Sequence, residues 1–201
     1  GTVDAVIRPT LYSPTVGVIS LRVRAGDVVE ESELLAEIDN PDLRHQLEQE
    51  RSRLLQFENE LTRLRISTNQ QKLASEQDLT LEEIALGAAR RERERVAEAV
   101  LQQVIRSMDL DIARDEEAAA MTRVQHSRSR IALEKQRLDF ELESKALELA
   151  RQKQAVEELD RQVAESRILS PTEGVVGNIL VQERDNVALN QPLMTVVNSS
   201  V

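Results

Sequence analysis

The chain has 201 residues, 26 Lys and Arg against 36 Asp and Glu, a formal net charge of −10 and no cysteine. The negative balance excludes the clustered cationic footprint of a nucleic-acid binder, and the missing thiols exclude disulfides and thiolate metal sites. One Tyr, two Phe and no Trp leave little for a large globular core, whereas 31% charged residues and abundant Leu, Ala, Glu, Gln and Arg suit long helices. The histidines, His45 and His126, stand alone in helical patterns, so no metal centre is expected. No run approaches the roughly 18 apolar residues that cross a bilayer.

From Thr2 to Ile38, short apolar runs are broken by Pro9, Pro14, Gly17 and Ala25-Gly26-Asp27, a pattern of short β-strands and tight turns. Asn40-Pro41 then supplies a helix start. Asn caps the orphan N–H groups, and Pro at the first helical position loses no bond because its missing donor had no partner there. The helix opens with a heptad at Leu43, Leu47, Leu54, Phe57, Leu61 and Leu64, interrupted by Glu50. Ser67-Thr68-Asn69-Gln70-Gln71 puts weak helix formers at seam positions, which predicts a stutter or a break near 66–72. The pattern resumes in another register through Leu79, Ile84, Leu86, Val96, Val100 and Val104.

The second arm has its seam at Met121, Val124, Ile131, Leu138, Leu142, Leu149, Val156, Leu159 and Val163. Arg128, Lys135, Lys145 and Gln152 interrupt it; Arg128, Lys135 and Lys145 either set register, permit flexing or snorkel to the surface. The reversal is expected at 106–111, near the midpoint of Pro41 and Ser170. The second helix is expected to start near Asp109 to Asp111, because Asp115, Glu116 and Glu117 crowd the turns that the helix dipole favours for negative charge. Arms of about 60 residues at 1.5 Å per residue predict a hairpin about 90 Å long.

Ser13-Pro14-Thr15-Val16-Gly17-Val18-Ile19, with Val28, Leu34-Leu35 and Ile38 following, is repeated as Ser170-Pro171-Thr172-Glu173-Gly174-Val175-Val176, with Val187, Leu193-Met194 and Val197 following. One small β domain is thus cut in half by the helical insertion. Neither half can bury its apolar face alone, so the two must meet. Gly174 to Val187 is two residues wider than Gly17 to Val28, and Arg184-Asp185-Asn186 replaces Ala25-Gly26-Asp27, so a longer hairpin is expected in the second half.

S-P-T-x-G-V-hydrophobic, then G-D-x-V, then L-L-x-x-I resembles the half-motif of biotinyl and lipoyl domains. That resemblance implies two interlocked four-stranded halves in a flattened barrel. Carrier versions display a modified lysine at the turn between the halves. Here Asn40 follows Glu37-Ile38-Asp39, and the lysines, Lys72, Lys135, Lys145 and Lys153, all lie in the insertion. No amine is present at the turn to be acylated, so no cofactor is expected.

A lipoyl motif split by a coiled-coil hairpin resembles the membrane fusion, or periplasmic adaptor, family typified by the haemolysin secretion adaptor. Gly1-Thr2-Val3-Asp4-Ala5 is similar to that family's opening strand, and Arg167-Ile168-Leu169-Ser170-Pro171-Thr172-Glu173-Gly174-Val175-Val176 to its second-half signature. The fold class expected is α+β, a split lipoyl-like flattened β-barrel with a long inserted antiparallel helical hairpin. Residues 1–10 would form an incoming strand from a flanking domain, 11–39 plus 168–199 the lipoyl-like domain, and 40–167 the hairpin.

The resemblance further implies an adaptor joining an inner-membrane transporter to an outer-membrane channel. It implies self-association into a ring, usually a hexamer, and a periplasmic location anchored to the inner membrane through a segment outside this sequence. The hairpin's length is closer to secretion adaptors of type I than to drug-efflux ones. Duct-binding members carry an Arg, a Leu four residues on, and a Ser or Thr seven further. Arg106 and Leu110 match the first two positions, but Glu117 takes the third, while Arg51, Leu55 and Thr62 fit the spacing near the helix base. Arg106, Met108 and Leu110 are therefore the candidate partner-binding residues, the alternative being an ordinary helix end. Paired carboxylates are frequent but lie on helical surfaces without an apolar pocket, so no enzymatic role is expected. A cofactor carrier and a plain coiled-coil scaffold clamped by its β ends are the other readings.

Overall fold

A computed structural model describes residues 8–198. The expected opening strand at Gly1 to Ala5 lies outside the described residues. Eight strands flank two helices: β1 (Thr10–Tyr12), β2 (Gly17–Leu21), β3 (Val28–Val29), β4 (Leu34–Asp39), α1 (Pro41–Leu101), α2 (Ser107–Glu165), β5 (Arg167–Leu169), β6 (Gly174–Ile179), β7 (Asn186–Val187) and β8 (Pro192–Asn198). The chain divides into two compact units, one of residues up to Leu55 together with those from Ala150 onward, the other Gln56–Leu149.

In the first unit the strands form two antiparallel four-stranded sheets ordered β1-β8-β6-β3 and β5-β4-β2-β7. Advancing every strand by four converts one order into the other, so the two half-motifs are related by a pseudo-twofold and each sheet takes strands from both. Ile19, Val29, Leu35 and Ile38 from one half share a buried core with Ile168, Val176, Leu193, Met194 and Val196 from the other. The interlock is a reciprocal pair of backbone bonds. Ser13 N–H donates to the Gln191 carbonyl and receives Asn190 N–H, while Ser170 N–H donates to the Glu33 carbonyl and receives Ser32 N–H. Both serines are buried, and each hydroxyl donates to the carbonyl of the threonine two residues on at 2.6 Å. This is the physical content of the repeated S-P-T.

The second half does not contain a longer hairpin. The counterpart of the buried Val187 is Val29, since Val187 pairs with Gly17 as Val29 pairs with Gly174, whereas Val28 is exposed, so the halves differ by one residue and not two. That residue sits in β6, where the pairing with β8 shifts between Val176 and Ile179. The two turns are of equal length and are capped alike, Asp27 accepting from Arg24 N–H at 2.7 Å and Asp185 from Gln182 N–H at 2.8 Å. Gly26 (φ 95°) and Arg184 (φ 67°) occupy equivalent left-handed positions.

Asn40 caps α1 as its sequence predicts, its Oδ1 accepting from Leu43 N–H at 3.1 Å. Leu43, Leu47 and Leu54 pack with Val156, Leu159 and Val163 of α2. The polar residues that interrupt the two seams meet here: Gln152 is buried and its amide donates to the Glu50 carbonyl at 3.0 Å and to the Glu50 carboxylate.

In the second unit the helices run antiparallel, since partners rise on α1 as they fall on α2. Glu60 meets Lys145 at 3.6 Å, Lys72 meets Asp139 at 2.7 Å, Glu83 meets Arg128 at 2.8 Å and Arg90 meets Glu117 at 3.2 Å. The break expected near 66–72 is absent, and α1 continues through it. The stutter is present, because the inward positions step by four residues twice, from Leu64 to Thr68 to Lys72. Weak helix formers without Pro or Gly cost only tenths of a kcal/mol each (about 0.5), and Lys72 compensates through Asp139. Ile84, Val104 and Met121, expected in the seam, are exposed instead. Arg128 and Lys135 are also exposed, Ser127 and Glu134 taking the inward positions beside them.

Thr68 is buried and its hydroxyl has no hydrogen-bond partner. Thr68→Val keeps the shape and removes an unsatisfied polar group, so it is expected to stabilise the helix pair by about 1 kcal/mol. Urea unfolding followed by helical circular dichroism measures this, and a destabilised variant would show that the hydroxyl is satisfied in solution.

Candidate interaction site at the helix connection

The reversal occupies residues 102–106, between Leu101 and Ser107, not 106–111. Helix α1 stops through backbone geometry alone. Gln103 takes a left-handed conformation (φ 58°), Val104 N–H donates to the Ala99 carbonyl at 3.0 Å, and Gln103 N–H donates to the Val100 carbonyl at 3.0 Å. This 6→1 and 5→2 pair is the Schellman ending, usually built with glycine at the position Gln103 holds. Helix α2 begins at once, Asp109 N–H donating to the Arg106 carbonyl at 3.1 Å. Its start lies two residues before Asp109, because this turn satisfies an orphan donor and leaves Asp109 in the first turn, where negative charge is favoured.

Of the candidate residues, Arg106 is exposed in the connection, with a 3.9 Å contact to Asp109. Met108 is exposed on the first turn of α2, whereas Leu110 is half-buried. Arg106 precedes α2 and lies outside the last turn of α1, which holds no basic residue. Two further apolar side chains stand in water here, Leu101 at 85% and Val104 at 71% exposure. The seam spacing places Val104 in the interior and is silent on Leu101; the helix ends before Val104, at the left-handed Gln103, so the spacing no longer applies there.

A charged clamp holds the helices together below the connection. Arg93 Nε donates to Glu117 at 2.7 Å and Arg90 Nε at 3.2 Å. The Arg93 hydrogen bond, aided by Arg90, holds the Glu117 carboxyl below its usual range against a smaller opposing effect of desolvation. A group depressed in the folded state adds stability that is fully present above its unfolded pKa, about 4.3, and is lost as pH falls through the folded value. Wild type is therefore expected to melt above Glu117→Gln at neutral pH and to lose that margin on acidification. Melting curves for both proteins across that range test it, and a margin independent of pH would remove the clamp.

Among the described residues no group of His, Cys, Asp or Glu could hold a metal, and no helix is long and apolar enough to cross a membrane. Asn40 is committed to capping α1.

No protein-family model and no curated protein matches the chain. Solved structures do. The periplasmic adaptor protein EmrA matches 97% of this chain and 73% of its own length at 18% identity and a TM-score of 0.54. The soluble domain of LipC, a membrane fusion protein of a type I secretion system, matches 96% of this chain and 100% of its own at 15% identity and a TM-score of 0.49. MacA from Actinobacillus actinomycetemcomitans matches 98% at 17% identity and a TM-score of 0.47, this chain spanning 50% of its length. With two interleaved β half-motifs separated by paired helices, the chain has the fold of the periplasmic adaptor, or membrane fusion, proteins.

Proposed function

We propose that this chain is the soluble, hairpin-bearing part of a periplasmic adaptor that bridges an inner-membrane transporter to an outer-membrane channel. The observation that carries the reading is the β half-motif pair whose connecting turn, at Asn40, opens into α1 in place of a modifiable lysine. In this reading the β unit and the helices self-associate as a ring, a hexamer in the full-length protein, and the role is non-catalytic. Secretion of type I is favoured over drug efflux by helices of 61 and 59 residues. Anchoring to the inner membrane would come from a segment outside this sequence.

The channel contact is assigned to the connection. Arg106 and Met108, with Leu101 and Val104 beside them in sequence, offer a cation among exposed apolar side chains, the composition that protein interfaces favour at their centres. Leu110, half-buried, contributes mainly by supporting the first turn of α2.

The 201 residues hold no cysteine, so Met108→Cys gives a thiol unique within this chain, to be introduced into the full-length protein with any cysteine outside this sequence replaced. Cross-linking in intact cell envelopes is expected to capture an outer-membrane channel protein. Capture of nothing but other copies of itself would overturn the bridging role and favour a coiled-coil scaffold, the second reading.

A further inference from the structure

The helix pair changes character at one level. In α1 the inward positions step by four residues twice, from Leu64 to Thr68 to Lys72, and α2 does the same from Glu134 to Leu138 to Leu142. The ion pair between Lys72 and Asp139 at 2.7 Å sets the two stutters beside each other. Thr68 and Leu138, both fully buried, lie at their centres. A step of four in place of three unwinds the left-handed supercoil locally. Unwinding both helices at one level keeps them in register, but it interrupts the seam through which each turn supports the next.

Packing differs on the two sides of that level. On the side of Gln56 and Leu149, Leu61 is buried, and Phe57, Leu64, Leu142 and Leu149 are half-buried. Toward the connection no residue of α1 beyond Thr68 is fully buried, Leu79 and Leu86 being half-buried. From Ser107 to Ile131 the buried residues of α2 are Ala113, Ala120, Val124 and Ser127. Small side chains thus hold places that leucine holds on the other side. The Ser127 hydroxyl, like that of Thr68, has no hydrogen-bond partner, so opening returns both to water and recovers their desolvation cost. Ion pairs cross between the helices here, Glu83 with Arg128 at 2.8 Å, Glu82 with Arg123 at 3.5 Å and Arg90 with Glu117 at 3.2 Å, but each arginine is about half exposed or more. Pairs that water can reach replace little of the missing apolar contact.

We infer that the connection side of the helix pair, residues 75–101 of α1 with 107–131 of α2, is a separate cooperative unit that opens while the pairing of 56–64 with 142–149 holds. Segments with few buried apolar contacts open first, in contiguous blocks, and the matched stutters supply the boundary at which this block stops. With an unbroken seam, opening at the connection would run down the pair turn by turn. Released from its partner, each helix is only partly held by its own turns, so opening exposes backbone amides to exchange. The exposed Leu101 and Met108 end and begin the two helices of this unit. A partner that needs them side by side binds only the closed fraction. The inference goes beyond the proposed function and holds whether or not the connection meets a channel.

Native-state hydrogen exchange of the whole chain, followed residue by residue in urea below the unfolding transition, tests this. Apart from the turn at each helix end beside the connection, amides of 75–101 and 107–131 are expected to share one level of protection and one urea dependence. That level is expected to lie at least about tenfold below the protection of 56–64 and 142–149, a difference of 1.4 kcal/mol, with the step at Thr68 to Lys72 and at Glu134 to Leu142. Leu61→Ala is expected to speed exchange at 56–64 and 142–149 by at least about tenfold and to leave 75–131 unchanged. A chain lacking both 69–72 and 139–142 keeps Thr68 and Leu138, restores alternating steps of three and four in both helices, and is expected to lose the step in protection. Protection that rises smoothly away from the connection, Leu61→Ala speeding all these amides alike, or a step that survives the paired deletion would overturn the inference. The first two outcomes are measured on chains that keep both stutters, so they decide the matter even if the shortened chain does not fold.

Discussion

Gly174→Ala is expected to destabilise the β unit by about 3 kcal/mol, the upper range for forcing extra volume into a packed interior. A Cβ at Gly174 would lie 2.2 Å from the Val197 carbonyl oxygen, and at the equivalent Gly17 it would lie 2.4 Å from the Asp39 carbonyl oxygen. Both obstacles are backbone, in the strands that complete the sheets, so they cannot swing aside as a side chain would. Gly26 is the internal control. Its Cβ would meet nothing within 4 Å, and only its φ of 95° opposes a side chain, which costs about 1 kcal/mol. Urea unfolding of the two variants separates close approach from backbone conformation, and equal losses would show that the strands relax.

Leu138→Ala is expected to cost the helix pair about 3 kcal/mol. Leu138 is 2% exposed and is the largest fully buried side chain between Gln56 and Leu149, where the inward positions otherwise include Thr68, Lys72, Ser127 and Glu134. Removing it opens a cavity in the inward face of the pair. Leu133→Ala, at 68% exposure on the same helix, should leave the dissociated chain within about 0.5 kcal/mol of wild type. Helical circular dichroism in urea compares the two; similar losses would mean that the seam is not centred on Leu138.

The parts of this fold legible in the sequence are those governed by nearest neighbours or strict repetition. Asn40-Pro41 announces a helix start because the cap is made three residues away. Ser13 and Ser170 announce the β halves because each hydroxyl closes its own turn. Glu50 and Gln152 each stand out as a polar interruption, but their hydrogen bond depends on how the arms align, which neither arm specifies alone. Val28 and Val29 are chemically alike, so only the sheet shows which faces inward, and the displaced residue in β6 concealed the matching register of the halves. The end of α1 carries no glycine. Gln103 enters the left-handed region because backbone bonds to Ala99 and Val100 hold it there, a cooperative effect without a residue signature.

The interleaving of the half-motifs has a kinetic consequence. Neither sheet can be completed by β1 to β4, so the first half must wait for residues beyond Arg167. Bringing the halves together across the insertion as a flexible loop costs about 4 kcal/mol of chain entropy, whereas closing the short connection at 102–106 costs about 1. Pairing of α1 with α2 from the connection downward shortens the remaining loop turn by turn and delivers the second half to the first. The order expected is helix pairing first and sheet completion last, and pulse-labelled hydrogen exchange that protects β4 or β8 before the helices would contradict it.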